Sequence, residues 1–188
     1  VHNADEFIND KENLFYSNLL KLKDDKKIKK IGASVYEPNE VFKLLDIYDL
    51  DVIQIPLNLF DQRFIEKEVY NFIEKKKIEV HIRSVFLQGI LLSDISTLPE
   101  YFSAWKENFK NYEYFLKYNK IKSITACLNF VYDKFSNSKI IIGFNSFDNF
   151  VQVISNLKKH ELIGLIMLFF SGIFLGFGLF LTFWGANK

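Results

Sequence analysis

Residues 28–55 read IKKIGASVYEPNEVFKLLDIYDLDVIQI, with an Ile-rich segment at each end and an amphipathic segment between them. Short runs of Ile and Val bounded by turn residues are typical of strands, and a proline such as Pro38 fits the first turn of a helix. Apolar residues then recur at helical spacing from Val41 to Leu45. This part of the chain is therefore predicted to form a strand, a helix and a second strand.

The same alternation continues along the chain. Strands are predicted at 28–34, 51–55, 78–84 and 139–143. Helices are predicted at 9–22, after Pro38, at 62–76, and twice within 98–135, where Asn119 and Lys120 interrupt the pattern. This rhythm predicts parallel β/α units, in an open doubly wound sheet or in a closed barrel. Because no Gly-rich phosphate loop follows any predicted strand, we favour the barrel.

The composition limits the function classes. With 188 residues, 49% of them hydrophobic, the chain is long enough for one domain with a packed core. Its net charge of +1 and the lack of a basic tract argue against nucleic acid as a partner. The single cysteine, Cys127, excludes an internal disulfide and favours a reducing compartment. His2, His81 and His160 are far apart in the sequence, so no metal site is expected.

Residues 162–184 read LIGLIMLFFSGIFLGFGLFLTFW and carry no charge. A run of about 20 apolar residues can cross a bilayer, so a transmembrane helix is predicted here. Lys158 and Lys159 precede it and Trp184 ends it, while Gly172 and Gly176 form a small-residue pair. The lysines favour a cytoplasmic domain anchored by this helix. We therefore divide the chain into a domain at 1–160 and a membrane tail at 161–188.

Polar residues cluster at the carboxyl ends of the predicted strands. They are Ser34 and Tyr36, Gln54 and Asn58, Arg83 and Ser84, and Asn145 and Ser146. In a barrel these ends share one rim, where ligands bind. Gln54 interrupts the apolar run DVIQIPLNLF at 51–60, and a buried amide without partners costs about 1–3 kcal/mol. Either neighbouring backbone groups or a bound ligand must therefore satisfy it.

Three segments of the chain resemble one known family. They are KKIGASVYEPNEVFKLLDIYDLDVIQIPLNLFDQRF at 29–64, HIRSVFLQGILL at 81–92 and KIIIGFNSFDNF at 139–150. In this order and at this spacing they are similar to the second half of an aldo/keto reductase, and the likeness extends from residue 1 to about 157. The resemblance implies a (β/α)8 TIM-type barrel of which strands five to eight are present. It also implies NADPH as cofactor, with NADH as the alternative, and a small-molecule carbonyl substrate that is reduced to an alcohol.

The resemblance also assigns site residues. In VHNADEF at the start of the chain, His2 matches the catalytic histidine that donates to or orients the substrate carbonyl. Ser34 and Gln54 match the residues that hydrogen-bond the nicotinamide carboxamide, which is the ligand explanation for Gln54. Arg83 falls where many members stack an aromatic ring on the nicotinamide. A guanidinium plane can also stack, and a salt-bridging arginine at a strand end is the alternative.

Two further groups of positions match phosphate contacts of the family. Ser84, Phe86, Gln88 and Gly89 match the loop around the pyrophosphate, and Asn145 and Ser146 match the start of the last helix, whose N–H groups suit the adenosine phosphate. Some positions depart from the pattern. Val35 replaces an asparagine that many members have after the serine. Asn149, Gln152 and Val153 stand where the family often has basic, acidic and amide residues, which weakens the case for NADPH over NADH.

The catalytic aspartate, tyrosine and lysine of the family come from its first three strands and have no match here. Tyr36 and Tyr48 match other parts of the barrel. Because the sequence begins at Val1 rather than Met, we expect a missing N-terminal half upstream and no turnover from this chain alone. Three hypotheses follow: a reductase fragment with a membrane tail, a non-catalytic membrane-anchored half-barrel that binds a ligand, and a soluble reductase with a foreign tail.

Overall fold

A computed structural model of the chain describes residues 1–10, 12–132, 134–156, 167–170 and 180–182. Within these residues one sheet contains β1 (Gly32–Ser34), β2 (Val52–Pro56), β3 (Glu79–Arg83), β4 (Ser138–Phe144), β5 (Met167–Phe170) and β6 (Phe180–Thr182). The α-helices described are α1 (Asp5–Ile8), α2 (Leu14–Asp24), α3 (Pro38–Ile47), α4 (Lys67–Lys76), α5 (Lys106–Asn119), α6 (Ser123–Tyr132) and α7 (Phe147–Asn156). Short 3-10 helices lie at Arg63–Ile65, Leu87–Leu92, Ile95–Thr97 and Glu100–Trp105.

The strands lie side by side in chain order, and β1 to β4 are parallel. Each of these strands is followed by helix, so the predicted parallel β/α units are confirmed. Strand β5 continues the parallel sheet beside β4, and β6 is antiparallel to β5. The register places Ser34 beside Gln54, and Gln54 beside His81.

The element boundaries have local causes. Helix α3 begins at Pro38 as predicted, and the Glu40 carboxylate accepts hydrogen bonds from the preceding backbone N–H groups of Tyr36 and Glu37. Strand β1 begins later than predicted, because the N–H of Ile31 donates to the Asp51 carboxylate rather than to a strand. The predicted break in 98–135 is confirmed at Lys120, whose left-handed backbone (φ 51°) ends α5.

Side chains alternate between the two faces of the sheet, as strand geometry requires. The face toward the helices is apolar and buried, and includes Ala33, Ile53, Ile55, Val80, Ile82, Ile140 and Ile142. Full burial of one such isoleucine stabilises the fold by about 2 kcal/mol. The opposite face, which we call the polar face, carries Ser34, Gln54, Glu79, His81, Arg83 and Lys139. The core therefore lies between the sheet and the helices, and the side chains of the polar face are not part of it.

Val1 extends the sheet beyond β1. Its terminal nitrogen donates to the Gly32 carbonyl (2.6 Å), and the Ser34 N–H donates to the Val1 carbonyl (2.9 Å). In a parallel ladder, a residue on one strand bonds to the residues before and after its partner on the neighbouring strand. Val1 therefore occupies a strand position beside Ala33, and His2 follows it at the carboxyl end of β1.

The predicted helix over 162–184 is wrong for the seven residues of it that the structure describes. Met167–Phe170 and Phe180–Thr182 are strands, paired with β4 and with each other. Periodicity alone does not separate a buried strand from a buried helix in a continuous apolar run, and the free edge of β4 offers backbone partners. Among the described residues, none of the helices has the length and apolar character needed to cross a bilayer. Lys158, Lys159, Gly172, Gly176 and Trp184 lie outside the described residues.

Candidate functional site

A cavity of about 360 Å³ opens on the polar face near the start of the chain. It is lined by Val1, His2, Lys30, Gly32, Ala33, Ser34, Val52, Gln54, Glu79 and His81. Three residues that the sequence assigns to one site, His2, Ser34 and Gln54, thus line one cavity. His2 is exposed, Gln54 is half-buried, and Ser34 is buried. The parallel register brings them together, because β1 and β2 end at the same edge of the sheet.

Ser34 and Gln54 contact each other directly. The Ser34 hydroxyl donates to Gln54 Oε1 over 3.3 Å, which is long for a bond from a hydroxyl. The amide nitrogen of Gln54 has no hydrogen-bond partner among the described residues. Backbone groups therefore do not satisfy this amide, and the pair has donor and acceptor capacity left over on the cavity side.

A second group of polar residues surrounds Glu79, and three of its members, Lys30, Glu79 and His81, line the same cavity. The Glu79 carboxylate accepts hydrogen bonds from Lys139 Nζ (2.8 Å), His81 Nε2 (2.7 Å) and Lys30 Nζ. We call Lys30, Glu79, His81 and Lys139 the ion cluster. The Glu79 side chain is only 8% exposed, so its negative charge depends on these partners.

The ion cluster shifts the acid–base behaviour of its members. Burial favours a higher pKa for Glu79, but the hydrogen bonds from Lys139, Lys30 and His81 outweigh it and hold the pKa at about 2. Burial lowers the pKa of His81, against the opposite influence of Glu79. At neutral pH the cluster therefore contains an ionised carboxylate and a neutral imidazole.

The ion cluster was missed by reasoning from the sequence. Glu79 and His81 alternate in IEVHIRS, and the two-residue period of a strand places them on one face. That period was the available signal, but His81 was considered only as a metal ligand. The described part of the chain contains no group of residues suited to hold a metal ion.

Arg83 lies at the carboxyl end of β3 and reaches toward β1. Its Nη2 donates to the Val35 carbonyl (3.1 Å) and its Nη1 donates to Ser84 Oγ (3.3 Å). Its guanidinium carbon lies 4.3 Å from the ring centroid of Tyr36, which is a cation–π contact. Its Nε is buried without a hydrogen-bond partner. Arg83 therefore reaches the carbonyl of the residue after Ser34 but does not line the cavity, and the ring that it stacks on in the structure is Tyr36.

The loop after β3 has an unusual backbone. Ser84, Leu87, Gln88 and Gly89 all have positive φ, with Gly89 at 91°. Phe86 closes the turn by accepting a hydrogen bond from the Gly89 N–H. A Cβ at Gly89 would meet no atom within 4 Å. The position therefore favours glycine because of its positive φ and not because space is short. Backbones that alternate between right- and left-handed conformations can form concave anion sites.

Asn145 and Ser146 precede α7, as predicted. Ser146 Oγ accepts a hydrogen bond from the Asn149 N–H (3.2 Å), so this hydroxyl satisfies one N–H of the first turn. Neither residue lines the cavity, and neither does the loop residue Phe86 or Gln88. Of the predicted site residues, His2, Ser34 and Gln54 therefore line the cavity, whereas Arg83 and the residues predicted for the phosphates do not.

The sequence matches the family model of the aldo/keto reductase family over residues 6–162. This chain therefore belongs to the aldo/keto reductase family, which is a family of oxidoreductases that generally use NADH or NADPH. The parallel α/β sheet described above is consistent with part of the barrel of that family.

Two solved structures are similar to this chain. A protein from Pseudomonas aeruginosa, described as an aldo-keto reductase, is 14% identical, with a TM-score of 0.52 over 83% of this chain and 47% of its own. A glycerol dehydrogenase from Gluconobacter oxydans is 21% identical, with a TM-score of 0.48 over 76% of this chain and 53% of its own. The chain thus spans about half the length of these structures. No curated protein matches the sequence.

Proposed function

We propose that this chain is the second half of an aldo/keto reductase barrel and supplies the nicotinamide site of an NAD(P)H-dependent carbonyl reductase. In this assignment β1 to β4 are the fifth to eighth strands. Its support is the run of four parallel β/α units and the position of Val1, which pairs with β1 where the preceding strand of a barrel would lie. The first four units are the proposed partner, because the resemblance assigns the catalytic aspartate, tyrosine and lysine of the family to strands that this chain lacks.

The observation that carries the proposal is the Ser34–Gln54 pair. A hydroxyl and a primary amide with spare hydrogen-bond capacity face a cavity of about 360 Å³. The carboxamide of a nicotinamide offers a donor and an acceptor that match them, and such pairing would satisfy Gln54. The residues present therefore fit that end of the cofactor, which when bound supplies the hydride that reduces a carbonyl carbon.

His2 is the residue of this chain proposed to act on the substrate. Its imidazole lines the same cavity as Ser34 and Gln54. An N–H of a neutral imidazole can donate to a carbonyl oxygen and stabilise the negative charge that develops there during reduction. The catalytic aspartate, tyrosine and lysine are assigned to the missing half.

Tyr36 and Tyr48 are committed to other contacts. Tyr48 OH donates to the Phe7 carbonyl (2.8 Å) inside a cluster of aromatic rings, and burial raises its pKa. Tyr36 stacks on Arg83. Neither is therefore a candidate for the catalytic tyrosine, and the chain by itself is expected to be inactive.

The phosphate contacts form a second part of the proposal. Ser84, Phe86, Gln88 and Gly89 are proposed to wrap the pyrophosphate, supported by the positive-φ loop, and Asn145 and Ser146 to contact the adenosine phosphate at the start of α7. Because Asn149, Gln152 and Val153 carry no charge, NADH remains the alternative to NADPH. A cytoplasmic location is proposed because Cys127 is a buried free thiol.

Calorimetric titration of the full chain with NADPH tests this function. We expect saturable binding that Gln54→Leu weakens about tenfold, because the carboxamide loses a partner. Ser155→Ala is the control, since that exposed hydroxyl lies on α7, outside the cavity, where it donates to the Gln152 carbonyl and accepts from Asn156 Nδ2. No aldehyde-dependent oxidation of NADPH is expected. Absence of binding, an unchanged affinity in Gln54→Leu, or saturable turnover of an aldehyde would contradict the proposal.

A further inference from the structure

We propose that Arg83, held in place by Tyr36, makes this site select the reduced cofactor over the oxidised one. The inference rests on the proposed function and adds a determinant to it. Its basis is a fixed positive charge beside the residues that are assigned to the nicotinamide carboxamide. The class of ligand concerned is a nicotinamide dinucleotide, and the property selected is the charge of its ring.

The first step is the position of the charge. Arg83 pairs with Pro56 of β2 in the sheet register, yet its Nη2 bonds to the carbonyl of Val35 on the far side of β2. The side chain therefore crosses the carboxyl end of β2 and ends one residue from Ser34. The guanidinium thus bonds to the backbone of the residue that follows Ser34, and the N–H of that same residue donates to the Gln54 carbonyl (2.9 Å).

The second step is that no carboxylate of the described residues neutralises the charge of Arg83. Arg83 forms no salt bridge with any residue that the structure describes. The acid whose pKa it influences, Asp61, is bound to Arg63 through two hydrogen bonds of 2.8 and 2.9 Å. Arg83 instead contacts neutral groups, which hold the guanidinium without cancelling its charge.

The third step is the role of Tyr36 as a positioning residue. Its ring covers the guanidinium at 4.3 Å, and an aromatic face attracts a cation without carrying a negative charge. Together with the bond to the Val35 carbonyl, the ring limits the orientations of a long side chain. The cation is therefore held in one place when a ligand arrives.

The fourth step is a difference between the two cofactor forms. NADP+ carries a positive charge on its nicotinamide ring, whereas the ring of NADPH is neutral, and the two share the same phosphates. A fixed cation within about 6 Å repels only the oxidised ring, and at an effective dielectric constant near 20 this repulsion exceeds a tenfold effect on affinity. Solvent at the open cavity screens part of it. We therefore expect about tenfold selection of NADPH over NADP+ from Arg83.

The test compares dissociation constants of NADPH and NADP+ for the full chain by calorimetry. We expect the ratio of the NADP+ constant to the NADPH constant to fall about tenfold in Arg83→Gln and to be retained in Arg83→Lys, which keeps the charge. Arg63→Gln is the matched control, because Arg63 is already paired with Asp61 and Glu37. Measuring both nucleotides on each variant separates a change in selection from a general loss of folded protein.

Tyr36 variants test the positioning role with the same ratio. Tyr36→Phe keeps the ring and should keep the ratio, whereas Tyr36→Leu should lower it about threefold as the guanidinium becomes mobile. If the wild-type chain binds both nucleotides and the ratio is unchanged in Arg83→Gln, the inference is wrong and the proposed function stands. If the wild-type chain binds neither nucleotide, both fail.

Discussion

Two groups of polar residues share the polar face and differ in how completely they are satisfied. In the ion cluster, Glu79 binds Lys30, His81 and Lys139 through short hydrogen bonds. At the other group, which we call the carboxamide group (Ser34, Gln54 and Arg83), the bond between Ser34 and Gln54 is long and Arg83 Nε has no partner. The ion cluster is thus complete within the chain, whereas the carboxamide group is not.

This difference separates a structural role from a binding role. Buried polar groups in folded proteins are normally hydrogen-bonded, so an incomplete set calls for a further partner. The pKa values of Glu79 and His81 in the ion cluster are lowered, and perturbed groups are often taken as markers of function. Here the perturbation arises from internal partners, and the spare capacity at Ser34 and Gln54 is the better guide to a ligand.

The largest expected effect comes from a substitution that disturbs both groups. Gly32 lies on the polar face between them, and a Cβ there would overlap the Val52 carbonyl oxygen and lie 2.9 Å from Val52 Cβ. Gly32→Ala must push β1 away from β2, and we expect it to lower the free energy of unfolding by about 3 kcal/mol. Urea unfolding followed by circular dichroism measures the change.

Gly89→Ala is the control for that substitution. Its added Cβ meets no atom within 4 Å, so only the positive φ opposes it, at a cost of about 1 kcal/mol. Equal losses in the two variants would show that β1 and β2 are not packed as closely at Gly32 as described.

The second prediction concerns only the ion cluster and its dependence on pH. The folded pKa of Glu79, about 2, lies below its ordinary value of 4.5, so its contribution to stability is complete above pH 4.5 and is lost as pH falls toward 2. We expect Glu79→Gln to lower the free energy of unfolding by about 2 kcal/mol at pH 7, allowing for screening of the half-exposed lysine partner Lys30. The gap between variant and wild type should close as pH falls.

Urea unfolding at several pH values between 7 and 3 measures this gap. Glu107→Gln is the matched control, because Glu107 is an exposed acid paired with Lys110 on α5 and should change the free energy by less than about 0.5 kcal/mol. A gap that stays constant down to pH 3 would contradict the pairing described for Glu79. The affinity of Glu79→Gln for NADPH tests separately whether the ion cluster has a purely structural role.

The smallest expected change in stability comes from the carboxamide group. Ser34→Ala removes a single 3.3 Å hydrogen bond, so we expect a loss of about 0.5 kcal/mol in the free energy of unfolding. The affinity for NADPH should nevertheless fall about fivefold, since the carboxamide loses a hydrogen-bond partner. Unfolding and calorimetric titration of one preparation give both values. A large loss of stability with unchanged affinity would reverse the roles of the two groups.

Reasoning from the sequence predicted a large part of the fold and the position of Ser34 next to Gln54. The β/α order followed from local patterns, such as Pro38 at the start of α3 and the interruption at Lys120. The convergence of Ser34 and Gln54 followed from their places at the ends of neighbouring parallel strands. The strands at Met167–Phe170 and Phe180–Thr182 were not predicted, because their pairing depends on the edge of β4, which local hydrophobicity does not encode.

As far as β4, local sequence patterns were sufficient for the order of strands and main helices and for the face on which each strand residue lies, since these depend on neighbours in the chain. Tertiary packing decided which polar groups satisfy one another. Lys30 and Lys139 are 49 and 60 residues away from Glu79 in the sequence, yet both bond to its carboxylate. Arg83 likewise contacts Tyr36 from the other side of β2. Contacts of this kind depend on strand register and side-chain reach in three dimensions, which no run of adjacent residues specifies.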